Sequence, residues 1–155
     1  PASERQIMSS KQLVRDYSRF RQAGWHAATA LRAVRTCAEF AALESLGLVR
    51  LVASEEVESY FDVFGEPEGY TDGNGKRVSA EAERQELVRS FERDGVWHVG
   101  SQWRTSEADE WRPAAGVGMC AGYSNPLSPV ENCYVPDLMR SAVDAVRAQE
   151  HATNL

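Results

Sequence analysis

From Ser10 onward apolar residues return at helical spacing: Leu13, Tyr17 and Phe20 stand at i, i+4 and i+7, while Lys11, Arg15 and Arg19 line another face. Ser9 or Ser10 supplies an N-cap and Gly24 a stop, so the pattern predicts a short amphipathic helix. A second helical segment runs from about His26 to Leu46, with Leu31, Val34, Phe40 and Leu43 as apolar positions and Gly47 just past its end. Thr36 and Glu39 have capping-box spacing, so this segment reads either as one helix or as two.

Leu48 to Ala53 is a nearly continuous apolar run of strand length, and Tyr60 to Phe64 reads as a short strand. The following GEPEGYTDGNG can only be loop and turn. Ser79 then caps a helix that ends at Gly95, with Leu87, Val88 and Phe91 facing inward, its acids early and several arginines late. Residues 96–104 alternate, with Trp97, Val99 and Trp103 on one face and His98, Gln102 and Arg104 on the other. Trp111 to Ala121 returns as a second strand, with Ala115, Val117, Met119 and Ala121 sharing a face. Pro113, which cannot donate to a ladder, places that strand at an edge or on a bulge. Pro136 and Asp137 open a last helix whose stripe is Leu138, Met139, Ala142 and Val146.

The order of elements predicts an α+β fold: a small antiparallel sheet, including a β-hairpin in the C-terminal half, covered by about four helices on one face. Residues 9–150 read as one domain, with residues 1–8 as a loose arm and 151–155 as a tail. A content of 43% hydrophobic and 26% charged residues over 155 positions is that of a globular chain with a core of its own. No apolar run approaches the roughly 18 residues of a membrane span, and no signal-peptide pattern is present, so the expected compartment is the cytoplasm, with no membrane partner. Cys37, Cys120 and Cys133 lack CxxC spacing and read as three reduced thiols, with Cys120–Cys133 as the only pairing worth naming.

Charge changes the picture more than composition does. Of the net −6, residues 1–50 contribute +4, residues 51–75 contribute −7 and the remainder −3. The negative block holds Glu55, Glu56, Glu58, Asp62, Glu66, Glu68 and Asp72 without one Lys or Arg. Such an asymmetry speaks to partners and encounter rates. An acidic chain argues against direct nucleic-acid binding, although Lys11, Arg15 and Arg19 share one helix face.

Candidate chemistry is sparse. In residues 70–81, Asp72, Asn74, Gly75 and Glu81 fall on the third, fifth, sixth and twelfth positions of an EF-hand loop. Tyr70 stands where the first carboxylate belongs, Arg77 replaces the aliphatic eighth residue, and GEPEG cannot form the entering helix. This makes residues 70–81 the centre of an alternative reading, a small-ligand or weak calcium-binding module. The motifs GxSxG, HExxH, GxxxxGK[ST] and GxGxxG are absent, so the chain reads as a non-enzyme with no cofactor. A small enzyme built on His98 and nearby carboxylates, or a thiol or metal site joining His98 to Cys120, are the remaining alternatives. Trp97, Trp103 and Trp111 crowd the hairpin, either as the core of a small sheet or as a binding surface.

Three strings, FGEPEGY…GKRVSAE (64–81), GVGMC (116–120) and NPLSPVENCYVPDLM (125–139), resemble small uncharacterised proteins carried by bacterial phages, plasmids and integrated mobile elements. The resemblance covers roughly residues 40–148 and implies a context in which accessory proteins act on host proteins. The leading expectation is a cytosolic interaction protein that binds a basic host protein, of the nucleic-acid-binding kind, through Glu55, Glu56, Glu58, Asp62, Glu66 and Glu68 together with Trp97, Trp103 and Trp111. An exposed edge strand at 111–121 favours a homodimer.

Overall fold

The computed structural model describes residues 10–55 and 60–154; the arm expected at residues 1–8 lies outside them. In chain order the elements are α1 (Ser10–Gln22), α2 (Ala27–Ser45), β1 (Val49–Glu55), α3 (Tyr60–Phe64), β2 (Tyr70–Thr71), β3 (Arg77–Val78), α4 (Ala80–Asp94), β4 (Val96–Trp103), β5 (Arg112–Ala121) and α5 (Val135–Asn154). The fold is α+β. A three-stranded antiparallel sheet has the order β1-β4-β5, and β2 with β3 makes a separate two-stranded ribbon.

α2 and α5 pack together and against the sheet, and α1 lies on α2. The stripe read from the last helix is the one that is buried: Leu138, Met139, Ala142 and Val146, joined by Val135 and Val143, meet Phe40 of α2, Val49 of β1 and Val99 of β4 in the main core. Removing each such side chain from water contributes about 1.5–3 kcal/mol, which is why this stripe decides where α5 sits. Phe20, Ala30, Ala33 and Val34 form a smaller cluster between α1 and α2. Its edge is Trp25, whose ring meets Phe20 edge-on at 5.0 Å. α2 is one unbroken helix. Thr36 and Glu39 do not cap a second one but reach Arg140 of α5, at 3.0 and 2.7 Å.

The hairpin forms with two register shifts. Trp97 faces Cys120 and Val99 faces Val117, so β5 carries one residue more than β4 in that interval. Met119, at φ 57, absorbs the extra residue. Alternation then slips by one, and Cys120, only 4% exposed, takes the inward place expected for Met119. The second shift separates Ser101/Ala115 from Gln102/Pro113, so Pro113 sits at a bulge on an edge strand, where its missing N–H costs no ladder bond.

Two elements differ from their expected form. Residues 60–64 are a helical turn, not a strand. As a helix, this segment seats Tyr60 and Phe61 on Phe91 of α4, with ring centroids 4.5 and 6.0 Å apart, an apolar contact that outweighs the β preference of aromatic and branched residues. α5 also continues to Asn154, so residues 151–154 are helix where a tail is expected. No disulfide joins the three cysteines: Cys120 is buried, Cys37 half-buried and Cys133 exposed. Among the described residues no helix is long and apolar enough to cross a membrane.

Candidate functional site

β1 delivers the chain at the exposed Glu55, and after four residues that are not described, among them Glu56 and Glu58, α3 lies against α4. The seating of Tyr60 and Phe61 on Phe91 decides what a five-residue helix can hide. Asp62 is exposed, and Val63 and Phe64 keep 60% and 61% of their surface in water. Phe64 retains one aromatic neighbour, Tyr60, at 4.8 Å. Arg84 of α4 lies 4.6 Å over the Phe61 ring and pairs with Glu66 at 2.9 Å. Asp62 and Glu68 form no ion pair with the described residues. The result is an uncovered Val–Phe step flanked in sequence by Asp62, Glu66 and Glu68, of which Glu66 alone is ion-paired among the described residues.

Residues 69–79 are tied down by local bonds. The backbone N–H of Gly69 donates to Glu83 Oε2 at 2.8 Å, and Arg77 donates to the Glu68 carbonyl at 3.1 Å. Asp72 Oδ1 accepts from the amides of Asn74 and Lys76, both at 2.9 Å, which makes it the organiser of the turn joining β2 to β3. Ser79 Oγ accepts from Ala82 N at 3.1 Å and caps α4. Glu81 stands exposed in the first turn of that helix. Among the described residues no group of three or more His, Cys, Asp or Glu is placed to hold a metal ion. The Tyr70 hydroxyl faces Glu86 at 3.4 Å, and that negative charge pushes the phenol above its ordinary value.

The tryptophans do not join this surface as one patch. Trp97 and Trp103 are half-buried against the main core. Trp97 donates from its indole to the Asp94 carbonyl at 2.8 Å, and Gly95, at φ +80, makes room for the ring: a Cβ there would lie 2.5 Å from Nε1. Trp103 sits six residues further along β4, about 20 Å at strand rise, under the guanidinium of Arg112 at 5.0 Å. Trp111, beside it, carries Arg50 at 4.3 Å and Arg104 at 4.0 Å over its ring. The acids and Trp111 therefore belong to two separate regions.

His98 lies on the sheet face away from α5, across Gly116, where an added Cβ would come within 2.9 Å of the imidazole. Cys120 points to the opposite face, into the core, because of the bulge at Met119, so the two are not brought together. One feature escapes the sequence reading: a groove of about 560 Å³ between α2 and the start of α5, lined in part by Trp25, Arg32, Arg35, Asp137 and Arg140. Its signal was the pair Arg32 and Arg35 on one turn of α2, legible as spacing but not as a concavity. No family model, curated protein or solved structure matches the chain.

Proposed function

We propose that this chain is a non-enzymatic accessory protein of a bacterial mobile element that binds a basic host protein, of the nucleic-acid-binding kind, on the surface formed by α3 and the acidic residues around it. The carrying observation is the exposure of Val63 and Phe64, at 60% and 61%, beside Asp62 and Glu68, which have no ion-pair partner among the described residues. An exposed aromatic on a docked helix is a ready anchor for a partner's pocket, and the surrounding carboxylates raise the encounter rate with a positively charged surface. The mobile-element context rests on the three strings at 64–81, 116–120 and 125–139. Of the residues named for binding, Asp62, Glu66 and Glu68 lie on this surface. Trp97 and Trp103 contribute to the core instead, and Trp111 lies at the far end of the sheet.

The test immobilises the intact protein, Phe64→Ala, and Asp62→Asn combined with Glu66→Gln, and exposes each to bacterial lysate. The intact chain retains a basic protein that added salt releases, the carboxylate variant loses it through slower association, and Phe64→Ala loses it through faster release. Retention indifferent to both variants refutes the reading.

A further inference from the structure

We propose that the groove between α2 and the first turns of α5 binds a small two-ended ligand, with an oxyanion head (phosphate or carboxylate) and a hydroxyl- or amine-bearing tail. The groove is built from other elements than the α3 surface and stands whether or not that surface binds a protein.

Its volume, about 560 Å³, lies within the roughly 300–1,000 Å³ that small-molecule sites occupy. Five charged side chains line it, and they fall into two groups. Arg140 and Glu39 neutralise one another at 2.7 Å; Arg140 is further held by Thr36 at 3.0 Å and Asp144 at 3.4 Å, and Arg147 approaches Glu39 at 3.6 Å. That network joins α2 to α5 and has no charge left over for a ligand. The second group has no such compensation. Arg32 and Arg35 of α2 are exposed, stand three residues apart on one turn, and form no salt bridge with the described residues. Like charges at that spacing destabilise a helix, so an anion between them relieves a repulsion as well as gaining contacts. Their planar forks match the paired oxygens of a phosphate or carboxylate.

The opposite wall carries Asp137, exposed in the first turn of α5 and without an ion pair to the described residues. It repels a second anionic group and accepts hydrogen bonds from hydroxyl or amine donors. The groove thus has two unmatched cations on one wall and one unmatched carboxylate on the other, a polarity that selects a ligand with unlike ends. Trp25 supplies apolar lining in a fixed orientation, since its indole donates to the Val130 carbonyl at 3.3 Å and its ring is held edge-on by Phe20.

Isothermal titration of the full chain with ribose 5-phosphate, gluconate and inorganic phosphate tests this. The first two carry similar polyol tails on either head, and the third is a head alone. The expected result is saturable one-to-one binding of ribose 5-phosphate, gluconate or both, the better of the two identifying the head. Arg32→Ala with Arg35→Ala weakens that binding by about tenfold or more, since charged hydrogen bonds are lost. Asp137→Asn weakens the tailed ligand and leaves inorganic phosphate unchanged. Unaltered melting temperatures show that these exposed substitutions keep the fold. Absence of saturable binding by both tailed probes overturns the proposal, as does binding that survives the double arginine change. Inorganic phosphate binding alone, indifferent to Asp137→Asn, overturns the two-ended site.

Discussion

The aromatic cluster at α3 and the one at Trp111 use the same classes of residue and end in opposite states. At α3, Tyr60 and Phe61 meet Phe91 with tilted rings, Arg84 covers Phe61, and Phe64, touched by Tyr60 alone among the described aromatic rings, stays 61% exposed. At the other end of the sheet, two guanidinium groups cover the Trp111 ring, and both are anchored elsewhere: Arg50 donates to Gln102 and Arg104 to the Gly47 carbonyl, each at 2.7 Å. A cation above a ring contributes on the order of 0.5–2 kcal/mol and at the same time closes that ring to a partner. Arginine placement therefore separates the two clusters more than aromatic content does: one is structural, the other is left open for contact.

The largest effect that tests this contrast is expected from Phe91→Ala. The side chain is 4% exposed and seats both Tyr60 and Phe61, so its loss should cost about 3–5 kcal/mol in chemical denaturation and release the amides of α3 to hydrogen exchange. A loss below about 1 kcal/mol shows that α3 is held by something other than this ring. Trp111→Ala comes next, at about 1–2 kcal/mol, because it removes two cation–π contacts from a half-buried site. Changing Arg50 to Gln in the Trp111→Ala background should then have little further effect if the arginine acts through the ring. Phe64→Ala should shift stability by no more than about 0.5 kcal/mol while abolishing partner capture; a large stability loss makes Phe64 a packing residue and removes the contrast. The smallest effect concerns the field alone. Glu86 holds the Tyr70 phenol above its ordinary value because ionising it creates a like charge nearby, so Glu86→Gln lowers that pKa toward 10.0 in an ultraviolet or NMR titration. Stability is not expected to change, since Tyr70 is exposed.

The acidic block and the tryptophans were visible in sequence as dense composition, and composition suggested one surface. Register along β4 divides the tryptophans instead, with Trp97 opposite Glu55 and Trp103 and Trp111 about 20 Å away. The arginine groove was visible only as the spacing of Arg32 and Arg35 on one turn of α2, not as a concavity. The second wall comes from Cys133 and Asp137, a hundred residues later in the chain.

Features whose cause lies within a few residues are legible in the amino-acid order alone. The Ser79 cap with its stop at Gly95, the apolar stripe from Leu138 to Val146 and the shared core face of Trp97, Val99 and Trp103 each follow from local hydrogen bonding or periodicity, and each is found as read. Contacts between distant stretches of chain set the rest. Tyr60–Phe64 is helical because Phe91 is there to receive it, and Cys120 replaces Met119 in the core because β5 must fit an extra residue against β4. Phe64 is open while Trp111 is closed because arginines from β1 and the loop after β4 reach only the second ring. In each case the deciding partner comes from a distant stretch of chain, and a preference of a few tenths of a kcal/mol per residue yields to a packing contact several times larger.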